Sequence, residues 1–354
     1  MPGPTARRTS PSAEQVAHVL HHRGLGLRPG PDPDGRAPLE SDKADTGRLG
    51  DKIFGGLAKG SGILVVALVT LIGVFLIAQA IPALSRNNAN FLTSTEWNVA
   101  NPDSMSFGIA RMLWVTVISS ILALILAVPL GVCIALFITQ YAPTWLARPA
   151  ASLIDLLAAV PSIVYGLWGA YVVGQYFRPI QDFVTSVFGW IPLFADEGAS
   201  AASTIAFVSI VLAVMILPII TALSREVFAQ TPGTHKEAAL ALGATKWEMI
   251  RTAVLPFGKP GVISAAMLGL GRALGETVAV MIIVSSLPEG APWSWSIFNG
   301  GETFASKIAN NYGEFDTPTK TGAYIAAGLV LFILTFIVNA IARVVIERRK
   351  AFTE

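Results

Sequence analysis

Long stretches without a charged residue constrain this chain more than any other feature of its sequence. A helix that crosses the hydrocarbon core of a membrane, roughly 30 Å thick, needs about 20 consecutive apolar residues. Six stretches qualify, and only Arg272 and Glu276 interrupt the fifth: 60–85, 112–147, 156–177, 198–224, 260–288 and 321–342. The sequence therefore predicts an all-α integral membrane protein with six transmembrane helices.

Prolines indicate where these helices are expected to stop or bend. The stretch 112–147 is too long for one straight crossing, and Pro143 is expected to end its helix. Pro129, Pro161 and Pro218 lie inside predicted spans. Neighbouring helices can satisfy the carbonyl groups that a proline leaves free, so a kink is expected at each of them.

Composition leads to the same conclusion and excludes several classes of function. Hydrophobic residues make up 53% of the 354 residues and charged residues 14%, whereas ordinary globular domains carry about 25% charged residues. Cys133 is the single cysteine, which excludes an intrachain disulfide and a thiolate metal cluster. The sequence has no GxxxxGK[ST] loop to hold ATP phosphates and no cluster of nucleophile and base. We therefore expect no enzyme activity, no cofactor, no metal and no nucleic-acid partner.

Residues 1–59 differ from the rest of the chain, because Pro, Gly, Arg and Asp are mixed there without any period. Such a composition predicts a largely disordered tail. The first apolar run begins only near Gly62, too late for a signal peptide, so the tail is expected to stay attached. Three histidines have helical spacing that could form a metal site. No set of carboxylates or cysteines accompanies them, so a short solvated helix is the preferred interpretation for His18, His21 and His22.

Topology follows from Lys and Arg, which favour the cytoplasmic side of a membrane. With six spans and the tail in the cytoplasm, 19 of the 25 Lys and Arg residues lie inside and five outside, and Arg272 lies within a span. The longest outside loop, 286–320, carries tryptophans that suit the level of the lipid headgroups. We therefore predict a multi-pass protein with both termini in the cytoplasm, divided into a tail (1–59), a six-span domain (60–346) and a C-terminal end (347–354).

The predicted cytoplasmic loop 231–256 is the most informative segment. We expect it to form two short helices, each opened by a capping box, with Gly243 ending the first. The boxes are Thr234 with Glu237 and Thr245 with Glu248. Residues 238–242 between them carry no charge. An apolar helix surface in such a loop must bind a soluble partner, pack on the membrane domain or lie on the membrane surface.

The same loop resembles the EAA signature of ABC importer permeases. The resemblance rests on Glu237, Ala238 and Ala239, on Gly243 six residues after Glu237, and on Leu255-Pro256. It implies a coupling helix over 234–243 that sits in a groove of a cytoplasmic ATP-hydrolysing subunit. Glu237, Ala238, Ala239 and Gly243 are the positions that it marks.

Four further segments resemble the C-type permease subunit of the phosphate-specific (Pst) importer: 129–137, 155–169, 268–280 and 303–314. The likeness covers roughly residues 52–350, with Asp155 standing where the family leads us to expect Glu. It implies the type I ABC importer permease fold in a bacterial inner membrane. The implied partners are a second homologous permease, two ATPase subunits, an extracytoplasmic phosphate-binding protein and inorganic phosphate.

Arg272 and Glu276 need a compensating interaction, because a charge at the centre of a spanning helix costs about 2.5–3.5 kcal/mol. Their i,i+4 spacing on a continuous helix predicts a mutual ion pair. One interpretation is a buried pair that fixes helix packing. The other is that Arg272 offers a planar guanidinium to a tetrahedral oxyanion in the pathway while Glu276 holds it between transport events.

Other small or polar residues at membrane depth are weaker candidates. Gly271 and Gly275 form a GxxxG pattern that allows close packing of another helix, within the chain or between subunits. Ser162 and Tyr165 are predicted to line the substrate pathway or to bond across helices, and Asn339 ranks below them.

Other functions stay open at this level. A permease for sulfate or molybdate would use the same architecture. A stand-alone secondary carrier could use Glu276 as a proton site, and a membrane sensor could signal through the cytoplasmic loop.

Overall fold

The computed structural model describes residues 45–288 and 290–350, with side chains described for 50–288 and 290–344. Most of the predicted tail, with His18, His21 and His22, lies outside the described residues. The chain divides into two units, residues 1–67 and residues 68–354. The features that follow, apart from the beginning of the first helix, belong to the second unit.

Helices dominate the described part of the chain. The α-helices are α1 (Asp45–Leu84), α2 (Ala110–Leu136), α3 (Thr144–Ala158), α4 (Ser162–Trp168), α5 (Arg178–Phe188), α6 (Ile205–Ala229), α7 (Gly233–Ala241), α8 (Lys246–Met249), α9 (Leu255–Leu274), α10 (Val278–Ile283), α11 (Phe304–Asn310) and α12 (Pro318–Lys350). Turns of π-helix extend α2 and α4 and join α8 to α9, at Phe137–Tyr141, Gly169–Val173 and Ile250–Val254. Two short strands, β1 (Trp97–Asn98) and β2 (Ser106–Phe107), pair antiparallel with Trp97 opposite Phe107.

Five helical segments are long and apolar enough to cross a membrane: 50–84, 110–141, 205–229, 246–274 and 318–344. The bent pair Thr144–Ala158 and Ser162–Tyr176 completes six when it is counted as one crossing. The predicted all-α membrane fold is thereby confirmed. The first helix begins at Asp45, before the predicted start of the first span, because no proline interrupts residues 45–59.

The third span, predicted over 156–177 with a kink at Pro161, is broken at this proline into two helices. The backbone turns by 92° between α3 and α4, and Pro161 lies in the break. Proline lacks an N–H group and disfavours a helical conformation in the residue before it, which favours a break at this point. The predicted stop at Pro143 is confirmed, since Ala142 is extended and α3 begins directly after the proline.

The fifth span was also predicted to be continuous, and that prediction is wrong. Helix α9 ends at Leu274, and α10 begins only at Val278. The Glu276 carboxylate accepts a hydrogen bond from the Ala279 N–H at 3.1 Å, so it satisfies one of the N–H groups that the start of α10 leaves without a helical partner. The break therefore has its own stabilising contact.

Helix α6 forms the centre of the bundle, and α2 and α9 pack on it. Ile220 of α6 is fully buried and contacts two glycines. A Cβ atom added at Gly131 of α2 or at Gly269 of α9 would lie 3.0 Å from the Ile220 side chain. These glycines allow both helices to approach α6 closely.

Residues 85–109 and 290–317 form one end of the bundle, which we call the hairpin end. A second hydrophobic core lies there. Phe107 is fully buried there, and its ring packs edge-on against Phe91 and Trp97. Tyr324 of α12 packs on Trp97. Its hydroxyl donates to a Glu314 carboxylate oxygen at 2.7 Å, which ties α12 to the turn before it.

Candidate functional site

Two broken spans meet at the candidate pathway. Helix α4 follows the break at Pro161, and α10 follows the break at Gly275–Thr277. A Cβ atom added at Gly166 of α4 would lie 2.9 Å from the Ala279 Cα of α10, so the two backbones are in direct contact. Two helix breaks and two short helices therefore lie side by side within the membrane domain.

Arg272 and Glu276 do not form the predicted ion pair. Helix α9 ends between them, so the i,i+4 geometry of a continuous helix is lost. The Glu276 carboxylate is buried and faces the Ala279 N–H instead. The Nε atom of Arg272 is buried and has no hydrogen-bond partner.

Tyr165 completes this group. Its side chain is 8% exposed, and its hydroxyl donates across the Pro161 break to the Leu157 carbonyl at 2.9 Å. The Arg272 charge lies close enough to interact with the phenol. The structure thus brings Arg272, Glu276 and Tyr165 into one neighbourhood. Ser162 is the first residue of α4 and lies one turn before Tyr165.

Within the described part of the chain, the GxxxG pattern does not bring another helix close. Apart from the backbone of α9 itself, no described atom lies within 4 Å of a Cβ added at Gly271, and Gly275 is the C-cap of α9. Packing of Gly271 against another subunit stays a prediction. Asn339 is exposed on α12.

Helix α7 contains the residues marked by the EAA resemblance. Glu237 and Ala238 are exposed, while Ala239 packs against a buried cluster that includes Phe228 and Ile250. The last turn exposes Leu240 by 48% and Leu242 by 89%. Such an exposed apolar ridge outside the spans is typical of a surface that a partner covers.

The ends of α7 agree with the sequence only in part. Gly243 ends the helix in the left-handed conformation, with φ +83°, as predicted. The prediction of the first capping box is wrong. Helix α7 begins at Gly233, so Thr234 and Glu237 both lie within the helix. Pro232 supplies the start instead, since its fixed φ suits a helix terminus. The second box, Thr245 with Glu248, is confirmed.

Arg225 and Asp155 form an ion pair that sequence reasoning missed. An Nη atom of Arg225, near the end of α6, lies 3.2 Å from both carboxylate oxygens of Asp155 on α3. The other Nη atom is buried and has no hydrogen-bond partner. The pair connects α3, which leads into the Pro161 break, to α6, which leads into α7. The available signal was the position of Arg225, the first charge after the apolar stretch 198–224.

No group of His, Cys, Asp and Glu within residues 45–288 and 290–350 could hold a metal ion. The site itself brings together one arginine whose Nε atom is buried, one carboxylate and one phenol.

Comparisons with known proteins agree with this architecture. Residues 127–351 match the family described as binding-protein-dependent transport system inner membrane component. The phosphate transport system permease protein PstC 2 of Mycobacterium tuberculosis is 52% identical over 84% of this chain and 92% of its own length. PstC of Mycobacterium leprae is 54% identical over 77% of this chain and 85% of its own. PstC of Mesorhizobium japonicum is 38% identical over 86% of this chain and 92% of its own. The chain belongs to the inner membrane components of binding-protein-dependent transport systems and, among them, to the PstC phosphate transport system permease proteins.

Proposed function

We propose that this chain imports inorganic phosphate as one of two permease subunits of an ATP-driven transporter in the bacterial inner membrane. The names of its relatives support phosphate as the substrate. The excess of Lys and Arg on one side of the spans supports cytoplasmic N- and C-termini. The hairpin end then faces the extracytoplasmic phosphate-binding protein, and residues 60–346 form the permease domain with its cytoplasmic loop 231–256.

The observation that carries the proposal is the unpartnered Nε atom of Arg272. A guanidinium nitrogen that is buried without a hydrogen-bond partner is costly, and a tetrahedral oxyanion offers the planar, bidentate contact that lowers this cost. Because Glu276 is held by the Ala279 N–H, the guanidinium stays available for the anion. Tyr165 and Ser162 complete the wall of the pathway, and one arginine gives weak binding, which suits a carrier that must release its cargo.

Helix α7 is the proposed contact with the ATPase subunits. Its exposed leucines and Glu237, Ala238, Ala239 and Gly243 enter a groove of that subunit. When the two ATPase subunits close on ATP, they move α7 and with it the end of α6. The Arg225–Asp155 ion pair passes the movement to α3, which adjoins the break at Pro161.

Phosphate uptake tests the role of Arg272. Cells lacking this chain receive the natural protein, Arg272→Gln or Arg86→Gln, and uptake of radiolabelled phosphate is measured together with membrane abundance and ATPase-subunit binding. Arg86 is a matched control, because it is an exposed arginine whose contact is a 3.4 Å hydrogen bond to Thr319. We expect Arg272→Gln to assemble normally and to transport nothing, and Arg86→Gln to transport normally.

Normal transport by Arg272→Gln contradicts the proposed pathway role. An excess of sulfate or molybdate that abolishes phosphate uptake points to another oxyanion as the substrate. Uptake by this chain alone, driven by an ion gradient, supports the secondary carrier instead.

A further inference from the structure

A polar cavity and an apolar groove adjoin each other at the hairpin end. The cavity holds about 120 Å³ and is lined by Glu96, Arg111, Glu302 and Lys307, among others. The groove holds about 610 Å³ and is lined by Trp114, Trp293 and Trp295, among others. Thr95 lines both spaces. Neither space includes Arg272 or Glu276, so this place is separate from the proposed pathway.

The charges on the cavity wall are unevenly matched. Lys307 and Glu302 form an ion pair at 2.9 Å and neutralise each other. The Nη2 atom of Arg111 donates to the Ala291 carbonyl at 2.6 Å. Arg111 forms no ion pair with any carboxylate of the described residues.

Glu96 is the negative counterpart. A carboxylate oxygen of Glu96 accepts from the Ser106 hydroxyl at 3.1 Å, and no described cation pairs with it. Among the described residues, the wall therefore presents one uncompensated positive charge and one uncompensated negative charge. A ligand that carries both a phosphate and an ammonium group complements both charges, whereas a free phosphate dianion is attracted by Arg111 and repelled by Glu96.

The groove indicates what else the ligand carries. Ala110, Leu113, Trp114 and Val117 line it at i, i+3, i+4 and i+7, so it extends along one face of α2 into the apolar span. Trp114 packs edge-on against Trp295 at 4.9 Å between ring centroids. Tryptophans at the end of a span lie at the headgroup level of a bilayer. An acyl chain in this groove would run in the same direction as the chains of the surrounding lipid.

We propose that the cavity and the groove together bind a phospholipid with an ethanolamine headgroup. Its phosphate contacts Arg111, its ammonium group faces Glu96 and one acyl chain follows the groove along α2. Arg111, at the start of α2, contacts both the headgroup and the carbonyl of Ala291 in the loop after α10. The bound lipid therefore stabilises the contact between this loop and α2. This inference goes beyond the proposed function, and its test does not involve transport.

Lipid binding can be counted directly. The full-length chain is purified in the complex that it forms in the membrane and is stripped of lipid in detergent. It is then mixed with phosphatidylethanolamine, phosphatidylcholine or phosphatidylglycerol of identical acyl chains, and bound lipids are counted by native mass spectrometry. We expect preferential retention of phosphatidylethanolamine, because of the three headgroups only ethanolamine offers Glu96 a positive charge together with N–H donors.

Four variants locate the site. Arg111→Gln keeps a donor for the Ala291 carbonyl but loses the charge, and we expect about tenfold lower retention of phosphatidylethanolamine. Glu96→Gln should shift the preference toward phosphatidylglycerol. Val117→Trp should fill the groove and lower retention without changing a charge. Arg86→Gln, at the same end but not lining either space, should behave like the natural protein.

Three results overturn the proposal. The first is equal retention by Arg111→Gln and the natural protein. The second is equal retention of the three lipids, or of none, by the natural protein. The third is displacement of the lipid by millimolar inorganic phosphate, which identifies the cavity as a phosphate site instead.

Discussion

The hairpin end and helix α7 differ in how far their apolar side chains are buried. At the hairpin end Phe107 and Phe304 are fully buried, whereas Leu242 at the end of α7 is 89% exposed. The hairpin end thus buries its core within this chain. Helix α7 leaves its apolar side chains open, which is typical of a surface that a partner covers.

Polar groups differ in the same way. Glu314 at the hairpin end accepts hydrogen bonds from both Tyr324 and Asn311. Glu237 of α7 forms no ion pair within the described part of the chain. The difference teaches that one region closes a core within the subunit, and it supports the proposal that the other connects the subunit to a partner. Substitutions in the first should lower stability, and substitutions in the second should lower coupling.

The largest expected effect is on stability. Phe107→Ala removes a fully buried ring from the hairpin end and should lower the free energy of unfolding by about 3–5 kcal/mol. Thermal unfolding of the purified protein measures it. Tyr312→Ala is the control, because this ring is 77% exposed. Equal losses in the two variants would show that the hairpin end is not a self-contained core.

Leu242→Ala should change coupling without changing stability. The side chain is 89% exposed, so the free energy of unfolding should move by less than about 0.5 kcal/mol. If Leu242 enters the ATPase groove, binding of the ATPase subunit should weaken by about 1–2 kcal/mol. Titration of the purified ATPase subunit onto the permease measures this affinity, and unchanged affinity removes Leu242 from the interface.

Gly243→Ala should have a smaller and more local effect. A φ of +83° places this residue in the left-handed region, where a Cβ atom costs about 1 kcal/mol. We expect the last turn of α7 to fray, which hydrogen exchange of residues 238–242 can measure. Gly243→Asn is the matched variant, since Asn tolerates this conformation better. If the hydrogen-exchange rates of residues 238–242 are equal in both variants and in the natural protein, the left-handed conformation of Gly243 does not determine where α7 ends.

The smallest effect is a dependence on pH at the hairpin end. The hydrogen bond from Tyr324 holds the pKa of Glu314 below its ordinary value of 4.5. This bond therefore stabilises the fold above that value, and its contribution is lost as the pH falls through the lowered pKa. Tyr324→Phe should be less stable than the natural protein at neutral pH, and the gap should close in acid.

Thermal unfolding from about pH 7 to about pH 3 follows this gap. Adding Glu314→Gln to both proteins removes the carboxylate and should make the gap independent of pH in this range. A gap that stays constant without that substitution assigns the effect to the Tyr324 hydroxyl independently of the charge on Glu314.

Features with a fixed physical scale could be predicted from the sequence. The thickness of hydrocarbon sets the length of a span, so the number of crossings followed from charge-free stretches. Gly243 and the Thr245–Glu248 box are local, and both were found where predicted. The Thr234 box failed because Pro232 offered an earlier start to α7.

Features that depend on distant contacts could not be predicted. A proline within a span is compatible with a slight kink or with the observed turn of 92° at Pro161. The Arg272–Glu276 pair was inferred from helical spacing, yet the Ala279 N–H competes for the carboxylate once the helix ends. The Arg225–Asp155 ion pair joins residues far apart in sequence, and no local pattern contains it.

Gly166 has a mechanical consequence for the pathway. Because its backbone touches Ala279, α4 cannot advance toward α10 without pushing that helix ahead of it. Ala279 is the residue that holds the Glu276 carboxylate, so the push also displaces the carboxylate relative to Arg272. A rotation that begins at Pro161 would thus alter the electric field around the guanidinium. In the proposed pathway, the affinity of Arg272 for an anion would then depend on the angle between two short helices.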